Sequence, residues 1–176
     1  MFFYFLSTDL STEFFRKILP SGGFKVLAEL VAIQGREKPG WKYHKYESHE
    51  AAALAAQQLD AAGRVIYHAC NSYGDWYEDS KTGKKRLRTQ VNVVACRSLY
   101  DDVDVAKDGC YADRKEAGAA LKKFLEASGM PKPMVVFSGG GLHLYWPLTA
   151  DIDRATWDRL ASKKRLITKH FGLKVD

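Results

Sequence analysis

Apolar positions along the chain switch between helical and extended rhythms, and the switches mark its elements. A first helix is predicted from about Ser11 to Leu19, ending at Pro20, after which Ser21-Gly22-Gly23 turns the chain. Phe24 to Ile33 is an apolar run broken only by Lys25 and Glu29, which reads as a strand, and Lys42 to Tyr46 interleaves aromatic and polar residues as a pairing partner for it. Ser48 is an N-cap for an alanine-rich helix running to Ala62 and stopped at Gly63. Val65 to Cys70 reads as a further strand.

In the second half, Val91 to Val105 contains a strand, and Asp113 with Glu116 three residues later forms a capping box for a helix that ends near Ser128-Gly129. Pro131 and Pro133 prevent its continuation. Met134 to Phe137 and Leu142 to Trp146 form a hairpin around glycines, and Asp151 to Phe171 reads as a long helix. The order is therefore β-α-β-β-α, and the class is α+β. The chain shows no internal repeat or low-complexity tract.

Composition changes this picture little. The 176 residues suffice for one domain of two lobes with a sizeable core, and the net charge of +6 is too small to argue for a polyanionic partner alone. Its distribution matters more. Lys81, Lys84, Lys85, Arg86, Arg88 and Arg97 fall in a seventeen-residue run without an acidic residue. Such a run suits either a solvated hairpin loop or a grip on nucleic-acid phosphates, and the second makes Lys84, Lys85, Arg86 and Arg88 candidate nucleic-acid contacts. The apolar start from Met1 to Leu6 is too short for a membrane span and lacks a basic flank, so a cytoplasmic protein without a membrane partner is expected. Cys70, Cys96 and Cys110 lack paired spacing and read as reduced thiols, and no C-x-x-C anchors a zinc site with His68.

The chemistry-bearing residues lie in the second half. Alternate residues of a strand share a face, so Asp102 and Asp104 project together, whereas Val103 and Val105 turn toward a core. Two such carboxylates repel each other unless a cation lies between them. Hard oxygen ligands suit Mg²⁺ or Mn²⁺, and a pair of these ions roughly 3.5–4 Å apart can activate a 3′-hydroxyl and stabilise a leaving pyrophosphate. Gly139, Gly140 and Gly141 form a turn in which backbone N–H groups can approach a phosphate without a Cβ intervening. His143 follows, and on a strand it shares a face with Tyr145, able to donate to a triphosphate oxygen.

With its Asp102-Val103-Asp104 and Ser138-Gly139-Gly140-Gly141-Leu142-His143-Leu144-Tyr145-Trp146-Pro147-Leu148 motifs, the chain resembles the archaeo-eukaryotic primase superfamily. It is most similar to the primase-polymerase domains of phage and plasmid replication proteins. Phe15 to Pro20, Val65 to Cys70 and Arg88 to Val93 extend the resemblance over nearly the whole chain. What the resemblance implies is an N-terminal αβ lobe over residues 1–90 and an RRM-like β-α-β-β-α catalytic module over residues 91–176. It implies Asp102, Asp104 and the Val175-Asp176 carboxylate as metal ligands, with Ser138 and His143 on the incoming nucleotide. Arg88 and Asn92 are weaker nucleotide or template contacts by the same resemblance. Family members continue past the third carboxylate, so the chain is expected to be a fragment truncated at its C-terminal end. They also carry an apolar residue where this chain has Asp101.

The implied activity is that of a DNA primase or primase-polymerase using Mg²⁺ or Mn²⁺. Its partners would be a single-stranded DNA template, ribo- or deoxyribonucleoside triphosphates and a downstream helicase domain or protein. Two other functions use the same features: a non-catalytic single-strand-binding module and a metal-dependent nuclease. Among single residues, Tyr145, Trp146 and Trp157 read as core, His68 as structural, and Lys163, Lys164 and Arg165 as a solvated helix face.

Overall fold

The computed structural model describes residues 8–35, 37–106, 110–138 and 140–175. The chain divides into two compact units, one of residues up to Arg97 together with Ala150–Arg154, the other of Ser98–Thr149 with the residues from Ala155 onward. The class is mixed α+β with four helices and antiparallel pairing among the described residues. None of those helices is long and apolar enough to cross a membrane.

In the first unit, α1 (Thr8–Ile18) buries Phe15 and Ile18. Strand β1 (Lys25–Val31) pairs antiparallel with β2 (Gly40–Tyr46), Lys25 opposite Tyr46 and Val31 opposite Gly40. The next helix, α2 (His49–Ala61), begins where expected, because the Ser48 side chain accepts the Ala51 N–H at 3.0 Å. Strand β3 (Ile66–His68) takes the other edge of β1, giving the order β2-β1-β3. His68 packs against the Phe14 and Phe15 rings, at 5.7 and 5.6 Å between centroids.

Lys25 is almost wholly buried in this unit, and its ammonium donates to the carbonyls of Ser21, Gly23 and Glu47. Those bonds are what make a cation tolerable there. Three short strands follow: β4 (Asn71–Tyr73), and the hairpin β5 (Tyr77–Glu78) with β6 (Lys85–Arg86). Strand β7 (Val93–Asp104) then pairs its first residues with β4, Asn71 opposite Cys96. Val26, Ala69, Tyr73 and Leu87 pack together, with Tyr43 and Val93 against them.

The second unit contains the rest of β7, then α3 (Arg114–Ser128), β8 (Met134–Ser138), β9 (Gly141–Ile152) and α4 (Arg154–His170). β8 and β9 form the antiparallel hairpin that the glycines predict, and β9 lies between β8 and β7. The core joins Leu99 and Val103 of β7, Leu142, Leu144 and Trp146 of β9, and Ala117, Leu121 and Phe124 of α3. Two differences from the sequence reading stand out. β9 runs on to Ile152, so α4 starts at Arg154 rather than Asp151; Asp151 serves instead as an acceptor for Ser21 and Arg97. Lys164, expected on a solvated face, is 5 % exposed.

Candidate functional site

The alternation of β7 separates two chemistries. Val103 is fully buried and Leu99 nearly so, whereas Asp102 and Asp104 point to the opposite face and are partly exposed. β9 repeats the pattern next to it. Leu142, Leu144 and Trp146 enter the core while His143 and Tyr145 share the other face. His143 Nε2 accordingly lies 3.4 Å from Asp102 Oδ1.

Burial dominates the titration of this histidine. His143 is 7 % exposed, and desolvation of its charged form holds its pKa below the usual 6.5, against the opposing pull of Asp102 and Asp104. Burial therefore favours the neutral imidazole. A neutral ring carries one N–H, enough to donate a single hydrogen bond without bringing a full charge.

The glycine turn lies against the same strand. Ser138 stands opposite Gly141 at the end of the β8–β9 ladder, and the Gly140 carbonyl accepts from Val105 N–H at 2.9 Å. Gly141 has a steric reason to be glycine, since a Cβ there would come within 2.1 Å of the Val103 carbonyl oxygen. That close approach keeps the turn beside the Asp102–Asp104 segment. Gly139, Asp176 and the Ser138 side chain lie outside the described part of the structure.

The donor set has the chemistry for a hard divalent cation. Mg²⁺ is commonly bound by one or two carboxylates together with substrate phosphates and water, not by a complete protein cage. Asp102 and Asp104 supply such a pair on one strand face. Among the described residues no three His, Cys, Asp or Glu side chains gather into a larger cluster.

Beneath the pair lies a feature that the sequence reading missed. Asp101 points to the helix-covered side of β7, where it forms an ion pair with Lys164 of α4, their side chains 11 % and 6 % exposed. The Lys164 ammonium also sits 4.9 Å from the centre of the Trp146 ring. Burial raises the Asp101 pKa and lowers that of Lys164, with the pairing opposing both shifts. The signal was present in the sequence. Asp101 falls in phase with Leu99 and Val103, and Lys164 in phase with Trp157, Leu160, Ala161 and Thr168. Each charge sits in an apolar stripe, and each is the other's explanation.

The remaining candidates belong to the first unit. Lys84, Lys85, Arg86 and Arg88 are exposed on and beside the β5–β6 hairpin, with Lys85 opposite Glu78 and Arg86 opposite Tyr77. The Asn92 amide donates to the carbonyls of Gly74, Asp75 and Leu87, so it braces the base of that hairpin. No protein-family model, curated protein or solved structure matches the chain.

Proposed function

We propose that this protein is a template-dependent nucleotidyltransferase of the primase-polymerase kind, joining nucleoside triphosphates on a single-stranded DNA template. The observation that carries this reading is the shared face of Asp102, Asp104 and buried His143, beside a glycine turn in which Gly141 packs on Val103 too closely to admit a Cβ.

Asp102 and Asp104 would hold Mg²⁺ or Mn²⁺, with Asp176 as the third ligand that the resemblance implies. When bound, two such ions lower the pKa of an attacking 3′-hydroxyl and offset charge on the triphosphate. The chain's own contributions are orientation and hydrogen bonding. His143 donates a ring N–H hydrogen bond to a triphosphate oxygen, and its burial holds the ring in place. The open Gly140 backbone lets a phosphate approach without a Cβ in the way. The 3′-oxygen then forms a bond to the α-phosphorus as the bond to the pyrophosphate oxygen breaks.

The test is incorporation of labelled nucleotides on a single-stranded template with Mg²⁺ or Mn²⁺, using this chain, a version extended past Asp176, and Asp102→Ala/Asp104→Ala variants of both. Metal-dependent synthesis lost in the double variants is expected. If neither parental protein makes product, catalysis is refuted; cleavage of the template without need of triphosphates would identify a nuclease instead.

A further inference from the structure

One face of the β2-β1-β3 sheet is covered around Val26 by Ala69, Tyr73 and Leu87, and beyond that cover it carries a row of aromatic rings. Ala28, at the centre of β1, stands opposite Tyr43 of β2 and Tyr67 of β3, and Leu30 stands opposite Trp41. Period two puts Trp41, Tyr43 and Tyr67 on the same face as the small Ala28. The Trp41 and Tyr67 rings meet edge-on, with centroids 5.3 Å apart. Trp76 extends the row, its ring 6.5 Å from that of Tyr43. Two of these rings are far from buried, Trp41 at 48 % and Trp76 at 40 % exposure.

The row runs into the basic hairpin. Trp76 precedes β5 directly, and its backbone N–H is held by Asp75, which also pairs with Lys45 of β2. The hairpin base is fixed by the three Asn92 bonds and by the Tyr77 hydroxyl against Thr89 at 2.8 Å. Its turn is shaped by Asp79, whose carboxylate accepts from the N–H groups of Lys81 and Thr82. From Tyr77 to Arg88 the segment has five basic residues and two acidic ones, and Lys81, Lys84, Lys85, Arg86 and Arg88 are all exposed.

We infer that this face is a platform for single-stranded nucleic acid, with Trp41 and Trp76 stacking bases and the Lys81–Arg88 side chains meeting phosphates. Exposed indole rings next to a braced cationic hairpin match a ligand having flat π-faces and a regular negative charge. Paired bases in a duplex present neither face for stacking, so the platform selects single strands. The inference rests on the reading of this protein as one that works on a template, yet it needs neither metal nor the Asp102–Asp104 pair.

Binding of a labelled oligothymidylate, measured by fluorescence anisotropy in EDTA, tests it, with a blunt duplex and inorganic polyphosphate as competitors. The parent protein is expected to bind the single strand, to be displaced poorly by the duplex, and to keep its affinity when Asp102 and Asp104 are both replaced by alanine. Trp41→Ala and Trp76→Ala should each weaken binding about fivefold or more, with Trp→Phe at the same sites recovering most of the loss. The salt slope should be unchanged in those variants. Lys84→Ala/Lys85→Ala/Arg86→Ala should instead flatten that slope by about 0.7 for each phosphate that is no longer neutralised. Circular dichroism matching the parent secures each comparison. Parental affinity in folded Trp41→Ala/Trp76→Ala protein overturns the inference, as does a tryptophan-dependent dimer in sedimentation that occupies the face. Success here with no nucleotide incorporation would leave the platform standing and remove the catalytic reading alone.

Discussion

Lys164 shows how one side chain can be costly and necessary at once. Its ammonium and the Asp101 carboxylate are both withdrawn from water inside the second unit, so each makes the other tolerable. Lys164→Ala should therefore destabilise the protein by about 3–5 kcal/mol, because it leaves the Asp101 charge buried alone. The pair Asp101→Leu/Lys164→Met should recover most of that loss. Denaturant midpoints of the two singles and the double form a cycle, and a double variant as unstable as the sum of the singles would contradict the pairing. His49 poses the same question in the first unit, with pH as the lever. Burial, and then the nearby Lys25 ammonium, hold its pKa below 6.5, although its ring N–H donates to the Leu19 and Pro20 carbonyls. The folded value is the lower one, so as pH falls below about 6.5 the unfolded chain takes up its proton first and stability falls with it. His49→Gln keeps a donor but cannot titrate. Urea midpoints between pH 7 and pH 5 should drop less in the variant than in the parent, and parallel curves would exclude His49 as a cause.

Among the elements, α3 is bounded as local chemistry dictates. Asp113 accepts the Glu116 N–H at 2.8 Å, Glu116 reaches back to the Ala112 N–H, one residue before the usual partner, and Gly129 closes the helix at φ +67°. Asp113→Ala should cost about 1 kcal/mol of stability, read as a shift in the denaturant midpoint, and no shift would mean that the cap is supplied elsewhere. These elements were legible in the sequence for this reason: caps, glycine stops and the alternation of β7 and β9 are local signals. Period two made legible that Asp102 shares a face with Asp104 and His143 with Tyr145, but that these two faces coincide was decided by the pairing of β7 with β9. What escaped was set by partners distant in the chain. β4, β5 and β6 are only two or three residues long and owe their extended shape to pairing, which no local pattern announces. The first turn expected of α4 became strand because β9 continues through Asp151. The depth of Lys164 depended on Asp101, sixty-three positions earlier.

For the whole molecule, the path of the chain matters more than any single element. It leaves the first unit after Arg97, returns for Ala150–Arg154, and leaves again, so neither unit is one continuous segment. The returning stretch supplies the first unit with Asp151, whose carboxylate accepts from the Ser21 N–H and hydroxyl at 2.9 and 2.8 Å and from Arg97 at 3.0 Å. Burial works against that charge, yet the Ser21 and Arg97 bonds prevail and leave the pKa below its ordinary value. A fragment ending at Arg97 keeps α1, α2 and β1 to β6 but lacks the returning stretch and its acceptor, leaving a half-buried guanidinium and a turn without their partner. Such a fragment should show weaker amide-exchange protection in β1 and β2 than the full chain. Asp151→Asn isolates the charge from the loss of chain. Since bonds to a charged acceptor contribute about 1.5–3 kcal/mol, the variant should lose stability of that order while keeping its fold. Protection in the fragment equal to that of the full chain would mean that the first unit folds without the returning segment, and that Asp151 is a consequence of the architecture, not one of its supports.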